Sequence, residues 1–262
     1  MLSHEGKDRS FLANATLAVA LSGVAGAVNA TGFFAVGTYT SHVTGNLARV
    51  GDEIAQGNAG LALRFFVLVV AFLAGAMTAT VLVETARRAG GRGHYKSALL
   101  LETGLLASVA LISAGVGPMP GSLALILTAA LCFAMGLQNA LVTKISGAVV
   151  RTTHLTGITT DFGIEAVRLW YWFRERSAGL GLLGKLKLVR TSWRDTEAHK
   201  AWLHFAIFSS FFSGAIVGPV LYLEHGHVAM LMPCGVLLLL VGQDLLSARR
   251  RVAAGPAARI AR

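Results

Sequence analysis

Two histidines stand in nearly identical surroundings. His42 lies in S-H-V-T-G-N-L-A-R-V-G, residues 41–51, and His154 lies in T-H-L-T-G-I-T-T-D-F-G, residues 153–163. Each block runs hydroxyl residue, histidine, aliphatic residue, threonine, glycine. Histidine is the side chain whose charge changes most readily near neutral pH. Beside hydroxyls and glycine-freed backbone amides, an imidazole can gate a path, relay a proton or hydrogen-bond a small solute. The same residue types also suit a pair of plain turns. In that reading Asn46 or Asp161 caps a helix start, glycine ends the preceding helix, and the histidine is a neutral structural group. Both readings stay open at this level.

The elements that must position these blocks are apolar and long. The chain has 262 residues, 54% hydrophobic and 14% charged, against about 25% charged in an ordinary soluble domain. Spanning a bilayer takes about 20 mostly apolar residues. Six segments qualify: about 12–37, 61–84, 97–116, 121–143, 201–223 and 227–246. The first follows Lys7 and Arg9 but exceeds the 7–15 residues of a signal-peptide core, so it is expected to be retained. The expectation is an all-α, polytopic protein with six transmembrane helices.

Charge sets the orientation. Of 23 Lys and Arg residues, 21 fall in the N-terminal tail, the 2–3 loop, the 4–5 loop and the C-terminal tail, leaving Arg49 and Arg64 on the opposite side. Cytoplasmic loops carry the basic excess, so both termini are expected in the cytoplasm. The net charge of +10 is then a matter of topology, and no nucleic-acid partner is expected. Cys132 and Cys234 sit inside apolar runs and read as small core residues rather than a disulfide or metal site.

The two histidine blocks belong to a longer internal match. Asn29-Ala30 is answered by Asn139-Ala140 at an offset of 110, Ser41–Gly45 by Thr153–Gly157 at 112, and Gly75-Ala76 by Gly214-Ala215 at 139. This divides the chain into a first three-span repeat, 1–119, and a second, 120–262, carrying a cytoplasmic insertion over about 162–200. Three is an odd number, so the second copy enters the membrane from the other side. Two inverted three-helix repeats with a binding site between them are a recurrent plan of secondary transporters. In lipid, a helix broken by Gly37 and Gly45 is tolerated only where its backbone is buried or lines a watery cavity.

Other polar residues carry weaker signals. Asn29, Gln138 and Asn139 can bond between helices. Glu102 lies shallow enough in its span to reach the interface or pair with Lys96, and Lys144, Arg151, Asp161 and Glu165 form either a gate or a solvated edge. The aromatic, arginine-bearing run 162–176 reads as an interfacial helix, and 177–200 as a flexible basic connector. His225 and His227 are two ligand types without a third nearby, which favours a polar turn over a metal site.

The pairs A-G-A-V-N-A-T-G-F with S-H-V-T-G-N-L, and A-M-G-L-Q-N-A-L with T-H-L-T-G-I-T-T-D-F-G, resemble the YoaK-like family of bacterial membrane proteins, catalogued as a domain of unknown function. The resemblance covers about residues 15–246. It implies a six-span, multi-pass protein of the bacterial cytoplasmic (inner) membrane and names no substrate. In that family's pattern the position of Asn29 is often aspartate.

The function expected is a small-solute transporter or permease, with a path lined by Asn29, Ser41, His42, Thr44, Gly45, Asn46, Asn139, Thr153, His154, Thr156, Gly157 and Asp161. The alternatives are a membrane-embedded enzyme using His42 or His154, and a structural or regulatory membrane subunit. No nucleophile elbow, zinc-binding histidine pair or P-loop occurs, so no catalytic residue, metal or cofactor is expected. The expected partners are the lipid bilayer, an unknown small solute and, as a candidate, a second copy of the chain.

Overall fold

The computed structural model describes residues 11–89, 95–116, 120–145, 155–192 and 198–253. Regular structure among these residues is entirely helical: α1 (Phe11–Val36), α2 (Val43–Ala55), α3 (Ala59–Arg88), α4 (Lys96–Gly115), α5 (Gly121–Ile145), α6 (Leu155–Ser177), α7 (Leu182–Ser192), α8 (Ala198–His225) and α9 (Leu231–Ala253). A short 3-10 turn, Gly226–Met230, joins α8 to α9. A helix satisfies every backbone hydrogen bond within its own segment, which is what a hydrocarbon solvent demands.

Among the described residues, five stretches are long and apolar enough to cross a bilayer: Ala15–Val36, Ala59–Arg88, Lys96–Gly115, Gly121–Lys144 and Lys200–Gln243. The last is 44 residues long and contains most of α8, the 3-10 turn and part of α9, so it takes in the expected segment 201–223 and all but the last three residues of 227–246. Large apolar side chains point outward all along these helices, among them Leu63, Met77, Leu111, Ile126, Leu223 and Leu239. Leu21, Val28, Leu99, Leu106, Leu131, Met135, Leu137 and Leu141 fill the interior. An apolar surface outside an apolar core is the pattern of a chain dissolved in lipid rather than water.

Two helix pairs carry the fold. α1 packs chiefly on α8, and α3 packs chiefly on α5. At each crossing glycine brings the backbones together. A Cβ on Gly26 would strike the carbonyl of Phe211, and one on Gly214 the carbonyl of Gly23; a Cβ on Gly75 would strike the carbonyl of Phe133, and one on Gly136 that of Phe72. Gly26 and Gly136 are 110 positions apart, as are Gly23 and Phe133. Phe72 and Phe211 are 139 apart, as are Gly75 and Gly214. The two crossings are thus made by residues in matching relation. Polar bonds add to them. Ser22 Oγ donates to the Ile207 carbonyl (3.0 Å), and Ser210 Oγ to the Val19 carbonyl (2.7 Å). Gln138 Nε2 reaches across from α5 to the Leu21 carbonyl of α1 (2.7 Å).

Two sequence expectations are corrected here. Glu102 is fully buried and neither carboxylate oxygen has a hydrogen-bond partner, so it neither reaches the interface nor pairs with Lys96; it faces the interior side of α4. Residues 182–192, expected as flexible connector, form α7. There Leu182, Leu183, Leu186 and Val189 recur at helical spacing, a pattern that the interleaved lysines obscure in a linear reading.

The crossings generate a prediction. Gly26→Val and Gly136→Val should each destabilise the protein by about 1–3 kcal/mol through overpacking, seen as a lower thermal midpoint in detergent. Gly104→Ala, where a Cβ meets nothing, should be neutral or stabilising by up to about 1 kcal/mol.

Candidate functional site

The first histidine block is built around the end of α1. Gly37 takes a left-handed φ of 76°, where an L side chain is strained, and its N–H bonds the Phe33 carbonyl at 2.9 Å. The chain then doubles back. Asn29 Oδ1, two turns inside α1, accepts from both the Ser41 backbone N–H (2.9 Å) and the Ser41 hydroxyl (3.0 Å). One amide oxygen therefore fastens the loop to the helix it has just left. His42 occupies the N-cap position of α2 without capping it through its side chain. Its imidazole instead lies over Gly45, where a Cβ would collide with ring atoms Cδ2 and Nε2. The glycine three residues after the histidine is the space the ring needs.

The turn alternative holds in one part, since Gly37 ends α1, and fails in the other. Asn46 is a buried residue inside α2, and Asp161 is an exposed residue well inside α6, which begins at Leu155. Neither opens its helix.

A cavity of about 720 Å³ lies against this block, lined by Asn29, Tyr39, Ser41, His42, Val43, Thr44, Phe72, Asn139, Leu155, Thr156 and Phe211. Of the expected path residues it brings together Asn29, Ser41, His42, Thr44, Asn139 and Thr156. Gly45, Asn46, Gly157 and Asp161 do not line it. Thr153 and His154 lie outside the described residues, as does Arg151. Tyr39 is held at the wall by stacking on Phe33, with centroids 4.7 Å apart. Tyr39 and His42 are the ionisable side chains among the described lining residues. The polar character otherwise comes from amides and hydroxyls set between aromatic rings, as in small-molecule sites generally.

Most of the lining forms pairs. Asn29 and Asn139 are 110 positions apart, Val43 and Leu155, like Thr44 and Thr156, are 112 apart, and Phe72 and Phe211 are 139 apart. The two asparagines differ in one respect. Asn29 Oδ1 takes two hydrogen bonds, whereas Asn139 Oδ1 is buried and has no partner. An unsatisfied buried acceptor costs about 1–3 kcal/mol, so the two halves of the lining are not equivalent in their hydrogen bonding.

Sequence reasoning missed Tyr39 and the two phenylalanines. A signal for Phe72 and Phe211 was present: the Gly-Ala match extends three residues upstream, F-L-A-G-A at 72–76 against F-F-S-G-A at 211–215. Near one end of the bundle, Glu84 bonds both Arg87 (2.8 Å) and Lys144 (2.9 Å), tying the end of α3 to that of α5. Glu165 pairs with Arg168 on α6 (3.2 Å). The His225–His227 region is a turn in which His227 Nε2 lies 3.5 Å from the Tyr222 hydroxyl. No group of three metal-binding side chains occurs among the described residues.

Long apolar helices with exposed apolar side chains around an apolar core and a polar-lined cavity define a helical, multi-pass membrane protein. The profile of the family described as "Protein of unknown function (DUF1275)" matches residues 17–242, and the chain belongs to that family, in keeping with the YoaK-like resemblance of its histidine blocks. It is 29% identical over 235 residues, 89% of this chain and 87% of the other, to a UPF0700 transmembrane protein of Rhizobium meliloti (strain 1021). No solved structure matches the chain.

The asparagine clasp is testable. Asn29→Ala leaves the Ser41 N–H and hydroxyl without their acceptor and should lower stability by about 1–3 kcal/mol. Asn29→Asp keeps an oxygen at that place and should retain most of the thermal midpoint.

Proposed function

We propose that the protein is a small-solute transporter or permease of the bacterial inner membrane, crossing it six times as two inverted three-helix repeats. The observation that carries this reading is the cavity, lined by paired residues from both halves. The match extends beyond the histidine blocks to the glycine crossings, where α1 on α8 and α5 on α3 use residues at the same offsets of 110 and 139. A duplicated unit accounts for that agreement. α8 and α9, joined by five residues of 3-10 turn, serve as the fifth and sixth crossings, since 44 residues are about twice the length one crossing needs.

In this mechanism a solute binds between Phe72 and Phe211, donating to Asn139 and bonding to the hydroxyls of Ser41, Thr44 and Thr156. His42 from one half and His154 from the other close the two ends. Gly45 and Gly157 give the rings room, and Asn46, Thr153 and Asp161 support the two elements. The chemistry is binding and release; no covalent step, metal or cofactor is invoked.

Two measurements test this. With Cys132 and Cys234 replaced by alanine, Gln56→Cys at the end of α2 should react with a membrane-impermeant thiol reagent added outside intact cells. Ala178→Cys, just after α6, should react only once the membrane is opened; equal labelling of both from outside removes the inverted arrangement. Uptake profiling of a deletion strain identifies the solute. Its uptake should fall to the deletion level in a His42→Ala/His154→Ala variant, and unchanged uptake there removes the transport role.

A further inference from the structure

A second concavity lies away from the solute cavity, between α6, α7 and the start of α8. It has a volume of about 420 Å³ and its wall is aromatic: Phe162, Trp170, Trp172, Phe173, Trp202 and Phe205. Two cations stack on its tryptophans. The Arg174 guanidinium lies 5.6 Å from the centre of the Trp170 ring, and that of Arg176 lies 4.7 Å from the Trp172 ring. Both arginines are exposed. From Phe162 to Ser192 there are six Lys and Arg residues against Glu165 and Glu175, so the surroundings are strongly basic.

The position of this groove matters as much as its chemistry. Trp202 and Phe205 belong to the first two turns of α8, immediately after Lys200, where the apolar stretch Lys200–Gln243 begins. The groove therefore spans the level where a helix passes from headgroups into hydrocarbon, the level tryptophan favours. On α7, Leu182, Leu183 and Leu186 are exposed beside Lys185 and Lys187, the composition of a helix lying in the interface. The indole Nε1 of Trp172 is buried and without a partner, a donor of the kind an ester carbonyl satisfies.

We propose that this groove is a binding site for an anionic phospholipid, its acyl chain laid along the aromatic wall and its phosphate drawn to the basic surroundings to which Arg174 and Arg176 belong. Arginine matches the planar geometry of phosphate oxygens and keeps its charge in a partly apolar setting. The site is independent of the transport reading, since it shares no residue with the solute cavity.

Tryptophan quenching reads the site directly. The chain has four tryptophans, and after Trp193→Phe the remaining three all line the groove. In nanodiscs with increasing brominated phosphatidylglycerol, their fluorescence should be quenched at several-fold lower mole fraction than with brominated phosphatidylcholine. Arg174→Gln/Arg176→Gln should erase that preference, by roughly fivefold per arginine at about 1 kcal/mol each, and leave quenching by phosphatidylcholine unchanged, which shows the groove intact. Identical curves for the two headgroups, or a preference that survives the double substitution, overturn the proposal.

Discussion

The structure depends on how closely two pairs of helices approach. Lipid chains are as apolar as leucine, so helices in a bilayer gain little from hiding apolar surface from one another, and association rests on packing and interhelical bonds. At both main crossings the contact is backbone on backbone: Gly26 and Gly214 between α1 and α8, and Gly75 and Gly136 between α3 and α5. Each glycine faces a carbonyl of its partner helix. Any side chain there would separate the axes and loosen every contact along them, including the serine bonds from Ser22 and Ser210, which need the Ile207 and Val19 carbonyls within reach.

Close packing at these crossings makes the polar interior affordable. Interhelical hydrogen bonds are worth only about 0.6–1 kcal/mol each, too little to hold a bundle around unsatisfied groups. Glu102, Gln138 and Asn139 all keep buried oxygens without partners, and the glycine contacts must offset that cost. The asparagines show how the same side chain serves two ends. Asn29 gives its oxygen to the loop that carries His42, while the Asn139 oxygen is buried without a partner.

Much of this was legible in the sequence. The apolar segments, their approximate limits and the paired blocks followed from composition and spacing, because lipid imposes a simple rule on every crossing helix. The role of Gly45 was not legible. Glycine after H-V-T reads as a helix breaker, yet Gly45 sits inside α2 and makes room for the imidazole, a fact of side-chain direction rather than propensity. α7 was hidden for a related reason, its leucines alternating with lysines in the linear text and separating from them only on a helical surface. Burial of Glu102 was misjudged because depth along a span says nothing about which face of the helix a residue occupies.

The cavity lies between the two glycine-packed pairs rather than within either. Asn29 and Phe211 reach it from α1 and α8, while Phe72 and Asn139 reach it from α3 and α5. Each pair joins a helix from the first half of the chain to one from the second, so the tightly packed units are not the halves read from the sequence. Within a pair, backbones in contact leave no room to slide, because protein packing is bistable rather than continuously deformable. Between pairs the contact is lighter, with Gln138 bridging α5 to the Leu21 carbonyl of α1. The Gln138 bond thus lies at the seam between the two pairs, beside the cavity's asparagine Asn139 in sequence.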